Sequence, residues 1–322
     1  MRRRHLPLLL AAAALPAAAQ PAALPPAIRL VVTFPPGGAS DILARALAEA
    51  LMARTGTRIV VDNRPGAGGT VGAAHVATQP ADGSVLMLSN TAPIVTSPPI
   101  YPSAGYDPAG GFTHIAYLGA NPFVILAHPG QVPARTLPEL VAWIRAQRQP
   151  PAYGTSGAGS VGHVFALDFA RRAGVELTHV PYRGSAPMQA DLQGGSIPLA
   201  FDALPQNLAA IREGRVRAIA VSSPERQPMA PEVPTTAEGG FPGLTAENWL
   251  GLSGPRGLPP ALVERLHAEA MAALDTPVLA ERLAQLGIAR RRMTQPEFAA
   301  FVAQEVATTG AAIRALGLSP QQ

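Results

Sequence analysis

The chain of 322 residues contains no cysteine, which excludes disulfides, thiol nucleophiles and thiolate ligation of metals or iron–sulfur clusters. All 25 basic residues are arginine, so a P-loop, a Schiff-base lysine and a lysine general base are excluded as well. The formal net charge of +4 includes Arg2, Arg3 and Arg4; the rest is near +1 (4 − 3), with arginines too dispersed for a nucleic-acid-binding face.

In chain order, the first feature is Arg2 to Arg4, then an apolar run from Leu6 to Leu15, then Ala17-Ala18-Ala19. A charged start, a short apolar segment and an A-x-A site predict a secretory signal over residues 1–19, cleaved near Ala19. The apolar run falls short of the roughly 20 residues a membrane span needs. The processed chain is therefore expected outside the cytoplasm, long enough for two ordinary domains.

Residues 28–32 read as a buried strand ended by Pro35-Pro36-Gly37-Gly38. SDILARALAEALMARTG follows, with Ser40 as the expected N-cap, an apolar stripe through Leu43, Leu47 and Leu51, and Gly56 as the stop. A strand over 58–62, the turn-rich NRPGAGG, a helix over 71–78 and a strand over 84–88 continue the alternation. A strand over 123–127, a helix over 137–147 and a strand over 152–154 come next. Ser160 is placed as the cap of a helix running to about Arg172, followed by strands over 177–180, 197–201 and 217–221 with helices between them. The end is helical over 260–274, 278–286 and 295–316, with Thr294 and Glu297 forming a capping box. Alternation of this kind indicates parallel α/β construction. Two such lobes on one chain point to a ligand cleft between them.

YGTSGAGSVGH, residues 153–163, is the most informative loop. Gly157, Gly159 and Gly162 fit a dinucleotide fingerprint, but the following strand ends in HVPY with no acid to hold a ribose; Glu176 lies at its start. Gly154 and Ser156 approach a hydrolase elbow, with Ala158 in place of the last glycine and Asp168 and His179 too near in sequence to converge easily. His163 and His179 lack a local metal-ligand spacing. What remains is physical: glycine-rich turns entering helices expose backbone N–H groups at a positive helix end. Ser156 and Ser160 add hydroxyls, and Thr33-Phe34-Pro35-Pro36-Gly37-Gly38-Ala39-Ser40 forms a matching loop in the first lobe. Two such loops can close on a small anion without lysine or arginine.

FPPGGASD, DNRPGAGG, YGTSGAGSVGH, HVPYRGSAP, DLQGG and NWLGLSGPRGLP together resemble the tripartite tricarboxylate transporter receptors, the Bug proteins, across residues 28–318. The resemblance implies a type II, clamshell α/β fold of two lobes: 28–122 completed by 224–318, and 123–223. It also implies a periplasmic receptor, without catalysis or cofactor, that closes on a small carboxylate, partly through bridging waters. Carried over, Phe34, Pro36, Gly37, Gly38 and Ser40 form the first carboxylate loop, and Ser156, Gly157, Ala158 and Ser160 the second. Asn90, Thr91 and Asp202 match the side wall. If Asp202 faces the cleft, it favours a ligand bearing an ammonium or hydroxyl group. A monomer serving transporter membrane subunits is the expected context; a secreted serine hydrolase using Ser156 is the alternative.

Overall fold

The computed structural model describes residues 22–315, so the signal expected at 1–19 lies outside the described residues. The chain opens with strand β1 (Ala27–Val32), helix α1 (Ala39–Thr55), β2 (Arg58–Asn63), α2 (Thr70–Ala77) and β3 (Val85–Asn90). β1 lies between β2 and β3, parallel to both. This is the strand–helix–strand arrangement that apolar runs separated by glycine-terminated helices specify. Gly56 ends α1 in the left-handed conformation, as read from sequence. The start of α1 differs: Gly38, in extended conformation, is the N-cap, and Ser40 lies inside the first turn. Asp41, in the first turn, accepts the N–H of Gly37, the residue before the N-cap, at 3.0 Å and is gripped by Arg45 and Asn63.

Strand β4 (Phe112–Ala127) is the spine of the molecule. Its first part pairs antiparallel with β9 (Glu247–Pro255), which in turn pairs antiparallel with β3. Its last part, from Phe123 to Ala127, pairs with β7 (Leu199–Ala203) and β8 (Arg217–Val221) instead. β7 continues into the parallel strands β5 (Ala152–Thr155) and β6 (Thr178–Pro181). A single strand thus leaves one sheet and enters another at Asn121-Pro122-Phe123. The chain returns through residues 222–246, where Phe123 donates its N–H to the Ser222 hydroxyl at 2.8 Å. Sequence reading found only residues 123–127 of β4 and missed β9.

Helices α3 (Leu137–Arg145), α4 (Val161–Ala173), α5 (Ser185–Gly194) and α6 (Leu204–Arg212) cover the second sheet. Helices α7 (Pro260–Leu274), α8 (Pro277–Gln285) and α9 (Gln295–Ala315) return to the first. Separate cores form: Leu30, Leu43, Leu47, Leu250 and Leu266 pack together on one side, and Phe123, Phe165, Phe169 and Phe201 on the other. Leu244 lies in the core of the second lobe, as do Ala230 and Val233 in its other cluster. The fold is a two-lobed α/β clamshell, and no described helix is long and apolar enough to cross a membrane.

Candidate functional site

The start of α1 comes from the first lobe and the starts of α4, α5 and α6 from the second, and all of them line one cavity of about 430 Å³. The first N–H groups of a helix have no intrahelical partner and carry partial positive charge, so each start is a ready anion donor. Glycine and proline before each helix allow the backbone to come close: Pro36-Gly37-Gly38 before α1, Gly157 and Gly159 before α4, and Gly184 before α5. A cavity of this size suits a small organic ligand.

On the first lobe the lining includes Phe34, Pro36, Gly37, Gly38 and Ser40, with Asn90 at the end of β3. Gly37 spends its N–H on Asp41, which leaves the amides of Gly38, Ala39 and Ser40, the N-cap and first turn of α1, as donors toward the cavity. Asn90 accepts the Ala92 N–H through Oδ1 and places Nδ2 3.5 Å from the Ser40 hydroxyl. NRPGAGG packs behind this loop; a Cβ on Gly69 or Gly72 would meet Thr33 at 3.1 and 3.0 Å.

On the second lobe, Ser156, Ser160 and Val161 line the cavity. Ser160 caps α4 as expected: its oxygen accepts the His163 N–H at 3.3 Å, so its own proton is available to a ligand. Gly157 and Ala158 do not line the cavity. The Gly157 N–H turns back to Thr155 Oγ1 at 3.3 Å, and its carbonyl accepts the Ser160 N–H at 3.2 Å. The Ala158 carbonyl accepts the Tyr101 hydroxyl at 3.2 Å. Thr91 is also turned away, its hydroxyl bonding to the Glu247 carbonyl and the Trp249 N–H.

The lobes touch beside the cavity. Thr96 of the first lobe donates to the Gly159 carbonyl of the second at 2.6 Å, and the one Ser97 proton is shared between that carbonyl at 3.0 Å and the Gly68 carbonyl of its own lobe at 2.8 Å. On another side, a Cβ on Gly184 would lie 3.4 Å from Pro35.

Asp202 lies at the end of β7, with 2% exposure, among the lining residues. Its carboxylate accepts from Ser185 Oγ at 2.8 Å, Asn207 Nδ2 at 3.0 Å and Gln189 Nε2 at 3.2 Å. Burial pushes its carboxyl above the ordinary range, against the pull of those donors. Sequence reasoning did not assign Arg183, Ser185, Gln189, Gln206 or Asn248, which all line the cavity. HVPYRGSAP carried a signal for some of them: glycine and serine before Pro187 mark a helix start, which lies at Ser185.

The enzyme readings of the second loop fail on geometry. His163 and His179 stack at 4.0 Å between ring centroids. His163 Nδ1 accepts the Gly159 N–H at 3.1 Å, while His179 Nε2 bonds to Thr155 Oγ1 at 2.7 Å. Burial holds His163 down to about 4; burial, then the His163 charge, holds His179 down to about 3. Neither bonds to Ser156, and Asp168 is engaged by Arg171 and Arg172 on the surface of α4. The Ser156–His179–Asp168 triad of the hydrolase alternative therefore does not form. Gly162 is close-packed on β7, where a Cβ would overlap the Phe201 carbonyl, so its role is helix–sheet contact.

Residues 43–318 match the profile described as the tripartite tricarboxylate transporter family receptor. The chain is 32% identical over 291 residues to Protein BugT of Bordetella pertussis, covering 90% of this chain and 89% of that one. It superimposes with a TM-score of 0.83 on MatC of Rhodopseudomonas palustris, solved with bound malate, at 31% identity over 89% of this chain and 98% of that one. A second R. palustris protein, solved with adipate, gives a TM-score of 0.85 at 32% identity over 91% and 98%.

Proposed function

The chain belongs to the tripartite tricarboxylate transporter receptor family, and from that premise we propose that it captures a small organic carboxylate in the periplasm for a membrane transporter. The observation that carries this reading is the cavity itself, where helix starts from both lobes meet with the hydroxyls of Ser40, Ser156 and Ser160. Relatives solved with malate and adipate support the ligand class. Three or four charge-assisted hydrogen bonds at roughly 1.5–3 kcal/mol each give about 5–12 kcal/mol gross. Association removes several kcal/mol, and apolar contact with Phe34, Pro36 and Val161 makes up what micromolar affinity, about 8 kcal/mol, requires.

In this reading the ligand contacts are Phe34, Pro36, Gly37, Gly38, Ser40, Asn90, Ser156, Ser160 and Asp202, joined by Val161 and the start of α5. The protein acts as a monomer and without turnover. We keep the lobe limits of the sequence reading with one shift: residues 224–246 are grouped with 123–223, since Leu244, Ala230 and Val233 pack in that lobe's cores.

Thermal shift with a panel of mono-, di- and tricarboxylates and amino acids tests the proposal. At 100 times its dissociation constant a ligand adds about 2.7 kcal/mol to stability, so a cognate acid raises Tm visibly. Scattering should show a smaller radius of gyration with that acid bound. Generic ester turnover lost on Ser156→Ala, with no carboxylate binding, would overturn the reading.

A further inference from the structure

The first loop presents amides to an anion, yet an anion already stands beside it. Gly38, Ala39 and Ser40 line the cavity at the start of α1, and Asp41 lies in the same first turn, 4% exposed. Burial works against its charge, but hydrogen bonds from Arg45, the Gly37 N–H and Asn63 outweigh it and hold the carboxyl below its ordinary range. Asp41 is therefore ionised at neutral pH. A fixed negative charge so near a helix start opposes any carboxylate bound there. Arg45 lies against that charge: Nε donates to Asp41 Oδ2 at 3.0 Å and Nη2 to Oδ1 at 2.9 Å. It is the only cation paired with Asp41 among the described residues. The same Nη2 reaches Asn63 Oδ1 at 3.2 Å, and Asn63 Nδ2 donates to Asp41 Oδ1 at 2.9 Å and to the Phe34 carbonyl at 3.0 Å. The network thus ties Phe34 and Gly37, which line the cavity, to the end of β2, while Asp41, Arg45 and Asn63 stay behind the lining.

We infer that Arg45 is a positioning residue for ligand capture, acting through Asp41: it cancels the carboxylate's charge behind the first loop, so that the amides of Gly38, Ala39 and Ser40 attract an anion. This rests on the carboxylate-receptor reading and deepens it. Without Arg45 the turn keeps its shape, since the Gly37 N–H and Asn63 still donate to Asp41. What changes is the field. The Arg45 side chain is half-exposed, so replacing it opens no hole in the core. At a separation of about 8 Å and an effective dielectric constant of about 20, a bare unit charge changes an anion's affinity roughly 30-fold. Screening by salt and solvent brings the expected effect to about 5- to 30-fold.

The test is calorimetric titration of the processed full-length protein with succinate, malate, adipate and citrate. Wild type is compared with Arg45→Gln, Arg45→Lys and the double variant Asp41→Asn/Arg45→Gln, each checked for folding by circular dichroism. For an acid that binds wild type, Arg45→Gln should weaken binding about 5- to 30-fold. Lysine keeps the charge but not the fork that also reaches Asn63, so Arg45→Lys should bind within about threefold of wild type. In the double variant the uncompensated charge is gone as well, so affinity should return from the Arg45→Gln value toward that of wild type. A brace acting through geometry alone gives the reverse: lysine does not rescue, and the second substitution weakens binding further. Unchanged affinity in Arg45→Gln, Arg45→Lys as weak as Arg45→Gln, or a folded double variant no tighter than Arg45→Gln would overturn the inference and leave the receptor reading standing. If the double variant does not fold, the lysine comparison decides. Failure of every acid to bind wild type would overturn the carboxylate reading, and this inference with it.

Discussion

Acid should loosen this protein through the stacked histidines under the second loop, and the size of the effect follows from their burial. His163 is 8% exposed, its Nδ1 accepts the Gly159 N–H, and its ring lies flat on His179 with 9° between planes. Protonating Nδ1 would replace that acceptor with a donor facing an N–H, and would put a charge against a second imidazole. Burial accordingly lowers His163 from an ordinary 6.5 to about 4. With the folded value depressed, the unfolded chain takes up the proton first as pH falls. Stability is full above about pH 6.5, declines toward pH 4, and levels off below that. At about 1.4 kcal/mol per pKa step, His163 alone contributes roughly 3 kcal/mol across the window and about 2 kcal/mol between pH 7 and 4.5. His114 and His179 are lowered as well, to about 4 and about 3, so wild type loses more than this in total. The measurement is urea denaturation at several pH values for wild type and His163→Asn. Asparagine keeps an acceptor for the Gly159 N–H but cannot titrate. The variant should lose about 2 kcal/mol less than wild type over that range, whatever its stability at pH 7. Parallel curves would refute the assignment of the titration to this pair.

Gly162→Ala should destabilise by overpacking, because the added methyl would overlap the Phe201 carbonyl and lie 3.3 Å from the Phe123 ring. A cost of about 1–3 kcal/mol corresponds to a Tm lower by roughly 3–10 °C, and an unchanged Tm by scanning fluorimetry would contradict it. Thr96→Val removes the hydroxyl that bonds the Gly159 carbonyl across the lobes. If that bond favours closure by about 1 kcal/mol, Thr96→Val should weaken ligand binding about fivefold with little change in the ligand-free radius of gyration. Equal affinities by calorimetry would show that the contact does not favour closure. Export should remove residues 1–19, and intact mass of the periplasmic protein retaining them would refute the signal reading.

How far the sequence exposed this site depends on how local each part is. The two glycine-rich loops were legible because a glycine-rich turn followed by a helix is written within about ten residues. Gly38, Ser40, Ser156 and Ser160 reach the cavity on that logic. It failed where an amide's direction depends on a distant side chain. Gly37 is turned to Asp41 and Gly157 to Thr155, so two glycines of these loops spend their N–H groups inside the turn. The spine was hidden for another reason. β4 is buried on both faces and contains Gly119 and Pro122, so it shows no alternating period.

β9 contains Gly251 and Gly254, which look like strand breakers. In the fold they are packing devices: a Cβ on Gly251 would collide with the Phe298 ring, and one on Gly254 would lie 2.6 Å from Leu258. The Asp202 side of the cavity was legible only in part. Asp202 could be matched by resemblance, but Ser185 and Gln189 reach it only across 17 and 13 residues of chain. Helix starts, which any short segment can encode, supply the general attraction for an anion. The polar network around Asp202 forms only when β7 and α5 come together, so no short segment of the chain encodes it.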